Sequence, residues 1–78
     1  MAVRNRPQRG QRVELEGNPI GVTLTSRTGR IVREDEWDGY YIVHLDGPAY
    51  YQQADGETAT LFEIREAEDN LHALPEPW

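Results

Sequence analysis

Apolar and polar residues alternate in short runs along this chain, and helical spacing appears in only one four-residue stretch. In Arg12-Val13-Glu14-Leu15-Glu16 the period is two, which sets Val13 and Leu15 on one face of a strand. Gly17-Asn18-Pro19 breaks that run, and an irregular stretch follows in which Val22 and Leu24 suggest a short strand. Arg30-Ile31-Val32-Arg33 reads as strand again, and the acidic segment of residues 34–39 as a turn. Residues 40–46 (Tyr-Tyr-Ile-Val-His-Leu-Asp) carry the densest β signal, and Gly47-Pro48 ends or bends it. Residues 49–53 and 57–64 flank Ala54-Asp55-Gly56, a hairpin whose Asp-Gly pair tolerates positive φ. Glu66-Ala67-Glu68-Asp69 is one helical turn at most, and residues 70–74 close with a last strand.

Period two divides these positions into two faces. Val13, Leu15, Ile31, Tyr41, Val43, Leu45, Phe62 and Ile64 are expected inside; Val32, Tyr40, Ile42 and Leu61 then point outward. Fully burying each of those four is worth roughly 1.5–3 kcal/mol, or about 6–12 kcal/mol per chain. That is comparable with the ~4–15 kcal/mol lost on association. The four therefore form a candidate protein interface, for a second copy or another protein, unless the tails or the 49–61 hairpin fold over them.

With 78 residues the chain has room for one domain. Residues 1–9, polar and arginine-bearing, read as a flexible basic arm, residues 10–74 as the folded unit, and residues 75–78 as a proline-interrupted tail. A core this small rarely supplies more than ~3–5 kcal/mol, and the absence of cysteine removes disulfides and thiolate metal sites, so oligomerisation is the remaining prop. No apolar run approaches ~18 residues and no leader pattern follows Met1, which makes a cytoplasmic location the expectation and gives no sign of a membrane partner.

The order of short strand, long loop, three-strand meander, single helical turn and closing strand resembles the SH3-like small barrel. Gly10-Gln11-Arg12-Val13, then Gly29-Arg30-Ile31, then Ala67-Glu68-Asp69-Asn70-Leu71 are similar to segments of the small SH3-like component of photosystem I and of the variable chain of ferredoxin–thioredoxin reductase. The resemblance covers roughly residues 10–74. It implies an all-β, five-stranded small barrel with one short helical turn before the last strand. KOW-type modules, Tudor-type readers and type B dihydrofolate reductases share that barrel, so function has to be argued from sites. The reductase family builds its pore from a Val-Gln-Ile-Tyr run; here Ala59-Thr60-Leu61-Phe62 stands in its place, without the glutamine or the tyrosine hydroxyl.

Charge adds two further readings. Residues 1–30 hold six arginines against two glutamates, whereas residues 31–78 hold two arginines against twelve acids, for a net charge of −6. An acidic body repels phosphate, which argues against nucleic-acid affinity of the domain itself. Arg4, Arg6, Arg9 and Arg12 nevertheless form a basic arm that would touch RNA in a KOW-like accessory of ribosome or polymerase, while the acidic clusters would suit a mimic of nucleic acid. Trp37, Tyr50 and Tyr51 lie near loops beside Asp35, Glu36 and Asp38, a composition fit to hold a peptide's arginine or lysine, or simply to plug the barrel ends. Lysine is absent, Ser26 is the only serine, and His44 and His72 share no fixed carboxylate spacing. No catalytic constellation, metal site or cofactor motif follows from these residues. The sequence reads as an interaction module and does not name its partner.

Overall fold

The structure, a computed structural model, describes residues 7–75. Arg4 and Arg6 of the basic arm, and most of the tail, lie outside the described residues. The fold is all-β: β1 (Arg12–Leu15), β2 (Val22–Leu24), β3 (Thr28–Glu34), β4 (Tyr40–Gln52), β5 (Thr58–Ala67) and β6 (Leu71–Ala73). A 3-10 turn at Glu68–Asn70 stands immediately before β6, where the sequence places its helical turn. The strands number six rather than five, because Val22–Leu24 pairs as a strand of its own.

β4 is the spine of the molecule. On one edge it pairs with β5 along nearly its whole length. On the other it pairs first with β3, at residues 41–45, and then with β2, at residues 49–51. β1 joins β3, and β6 joins β1, so the antiparallel order on that side runs β4-β3-β1-β6. Gly29 explains the close fit of β3 on β4, since a Cβ there would lie 2.4 Å from the His44 carbonyl oxygen.

Alternation in residues 40–45 is as the pattern requires. Tyr41, Val43 and Leu45 are buried, while Tyr40 and His44 are exposed and Ile42 is half-buried. With Val13, Leu15, Ile31, Ala49, Ile64 and Leu71 the three inward residues form one core. Two irregularities break strict period two. Ile31 pairs with Val43 and Arg33 with Ile42, leaving Val32 as an extra residue in a bulge. Without that bulge Arg33 would point into the core; with it, Arg33 stands beside Ile42 on the outer face.

The second irregularity lies between His44 and Ala49. His44 pairs with Glu63 and Ala49 with Leu61, so four residues of β4 oppose one of β5. Asp46, Gly47 and Pro48 supply this bend without stopping the strand, which continues to Gln52. Asp46 anchors it: one carboxylate oxygen accepts from Arg12 Nη2 at 2.8 Å and from Thr28 Oγ1 at 2.5 Å. The bend shifts the phase of β5, and two expected placements change. Leu61 lies against the core beside Val22 and Leu24, not on the outer face, and Phe62 is 54% exposed rather than inside. Ala49 is buried in the core and Leu61 packs against it, so this part of the 49–61 hairpin contributes to the core face.

Candidate protein-docking surface

The acidic turn after β3 is closed by its own backbone. Tyr40 N–H donates to the Trp37 carbonyl at 3.1 Å and Asp35 N–H to the Tyr40 carbonyl at 2.9 Å, while Gly39 takes φ 82°, the left-handed region that favours glycine. The closure turns Asp35 inward, where its side chain is only 3% exposed. A carboxylate buried that far needs a counter-charge. Arg65 provides it from β5, with Nε 2.6 Å from Asp35 Oδ2. The contact is a close ion pair rather than an aligned hydrogen bond, since Oδ2 takes none.

The same guanidinium lies over the Trp37 ring, 4.5 Å from its centroid. Trp37 in turn meets Tyr40 edge to face, with centroids 5.9 Å apart and planes at 83°. Ile42 pairs directly with Arg65 on one side and Arg33 on the other. Trp37, Tyr40, Ile42 and Arg65 thus make one contiguous surface, of which Trp37 is 60% and Tyr40 37% exposed. Val32, half-buried in its bulge, lies beside it. Of the four residues first placed on this surface, Leu61 belongs to the core instead, and Trp37 and Arg65 join.

The outer face also gathers arginines from three strands. Across four strands, Arg12, Arg30, His44 and Glu63 occupy one paired row, and Arg33, Ile42 and Arg65 the next. Arg12 is tied to Asp46, so it is part of the fold rather than of a free arm; Arg9 is exposed. His44 Nδ1 lies 3.6 Å from Glu63 Oε2, and His72 Nε2 lies 3.7 Å from Glu16 Oε2, both on exposed surface. Among the described residues no group of three or more His, Cys, Asp or Glu side chains could hold a metal ion. Nor does any described helix have the length and apolar character to cross a membrane.

The residues expected to cradle a peptide do not form one groove. Glu36 and Asp38 remain exposed in the Trp37 turn, but Tyr50 and Tyr51 stand on the far half of β4, paired with Thr23 and Val22. There they line an open depression of ≈ 590 Å³ with Pro19, Val22 and Thr58, beside the fully exposed Ile20. The cation that the acidic turn was expected to take from a partner is supplied internally by Arg65. One signal in the sequence pointed to it: Arg65 is the only basic residue besides the histidines after Arg33. Compared with family models, with curated proteins and with solved structures, the chain matches none.

Proposed function

We propose that this chain is a non-catalytic interaction module that docks an acidic segment of a partner protein onto the outer face of its sheet. The observation that carries the reading is the Asp35–Arg65–Trp37 stack. A buried carboxylate fixes an arginine, the arginine fixes a tryptophan, and the tryptophan still presents most of its ring to solvent. Trp, Tyr and Arg are the residues that most often dominate binding energy at interfaces. Holding them in place beforehand removes ordering costs of about 0.5–1.5 kcal/mol per side chain from the binding step. Arg33, exposed and paired directly with Ile42, favours a carboxylate on the partner although the whole chain carries −6.

The test uses Trp37 as its own reporter, in a Trp78→Phe background that leaves a single tryptophan. Titration with a random glutamate–tyrosine copolymer is expected to change Trp37 emission saturably, with affinity that falls as salt is raised. Ile42→Glu is expected to weaken that binding at least about tenfold through repulsion and lost apolar contact. A saturable response to single-stranded RNA but none to the copolymer would replace this reading with the RNA-accessory one. No response to either refutes the docking surface.

A further inference from the structure

The three edges of the sheet are treated differently. β2 is three residues long and follows Pro19 and Gly21; β6 is three residues long and runs into Pro75. Short strands and prolines are how proteins prevent strangers from adding to an edge. β5 has neither protection. It runs for ten residues, Thr58–Ala67, without proline or glycine, and among the described strands it pairs only with β4. Its second edge is therefore a row of backbone donors and acceptors set to pair with another strand.

The side chains of β5 specify which strand. In an antiparallel pair, directly opposed residues share a face. Glu63 and Arg65 both stand on the outer face, opposite His44 and Ile42, with Ile64 between them facing the core. If two copies of β5 meet antiparallel with Ile64 on the two-fold axis, Glu63 of each copy lies opposite Arg65 of the other. The segment Glu63-Ile64-Arg65 is thus self-complementary in charge about its own centre. Arg65 commits its Nε edge to Asp35, and a guanidinium has further N–H donors for a second carboxylate.

We infer that the chain forms a two-fold symmetric dimer by antiparallel β5–β5 pairing in the register that opposes Glu63 and Arg65. The dimer continues one sheet across both copies and leaves both Trp37 surfaces on its outer face; it shares Arg65 with the docking surface, and its readout, the oligomeric state, is separate from peptide binding.

Sedimentation equilibrium of the full chain tests it. Wild type is expected to be dimeric at micromolar concentration. Glu63→Arg sets like charges opposite at two symmetry-related places and is expected to raise the dissociation constant about tenfold or more, with the gap narrowing in high salt. Glu63 is half-exposed and outside the core, and circular dichroism checks that the variant is folded. Tyr40→Ser, two residues further along the outer face and opposite Ala67, adds no charge beside Arg65, and its dimer is expected to match wild type. A monomeric wild type overturns the inference. So does a dimer that ignores Glu63→Arg, or one that Tyr40→Ser dissociates, which would place self-association on the outer face.

Discussion

Asp35 and Arg65 show how one residue's role is decided by a neighbour thirty positions away. Asp35 is buried while Arg65 is 47% exposed, so water screens the pair from one side. Removing the cation by Arg65→Met is therefore expected to cost about 1–2 kcal/mol in urea unfolding, below the ~3–5 kcal/mol of a fully buried pair. Arg65→Lys restores charge but not the flat group stacked on Trp37, so it should recover stability while leaving Trp37 emission shifted. Gly29 makes a sharper demand. A methyl group there would meet the His44 carbonyl, and Gly29→Ala is expected to destabilise by about 1–3 kcal/mol, read from the same unfolding midpoint. A sequence shows that Asp35 is acidic and Gly29 small. It does not show what stands opposite either, because that depends on register between strands far apart in the chain.

At the scale of elements, the hydrophobic alternation of residues 40–46 was fully legible, since a half-buried strand must repeat every two residues. The phase of β5 was not. Period two carries a prediction along a strand only while pairing is regular, and the bend at Asp46–Gly47–Pro48 resets it. Leu61 and Phe62 exchanged expected places for that reason. A pair of truncations reads the shift directly: Leu61→Ala is expected to cost about 1–2 kcal/mol, being partly buried against the core, and Phe62→Ala less than about 0.5 kcal/mol in the monomer. The reverse order in thermal or urea unfolding would mean that β5 keeps an unbroken alternation. The bulge at Val32 escaped the sequence similarly, yet it is what spares Arg33 from burial and sets it on the outer face.

For the whole molecule, composition foretold a small core and an acidic surface but not how charge would be partitioned. Arg12, Arg30, Arg33 and Arg65 come from three strands and converge on one face only because β3 and β5 flank β4 and β1 flanks β3 in register. The exposed aromatics are partitioned too. Trp37 and Tyr40 stand at one end of β4, and Tyr50 and Tyr51 toward the other, in a molecule whose principal extents are 50 × 29 × 19 Å. The expectation of a single peptide groove failed on that length, since ten residues of strand separate its proposed walls by roughly 33 Å at ~3.3 Å per residue if the strand were straight.

The position of β4 at the centre of the pairing also sets the order in which the molecule comes apart. β2, β3 and β5 all depend on it, whereas β2 and β6 each hang by three residues. Amide hydrogens of residues 41–45, held between β3 and β5, should exchange with deuterium only through global opening, while those of β2 and β6 should be lost first through fraying. Native-state exchange followed by mass spectrometry would resolve the two classes; equal protection in β2 and in residues 41–45 would mean that the sheet opens as a single unit.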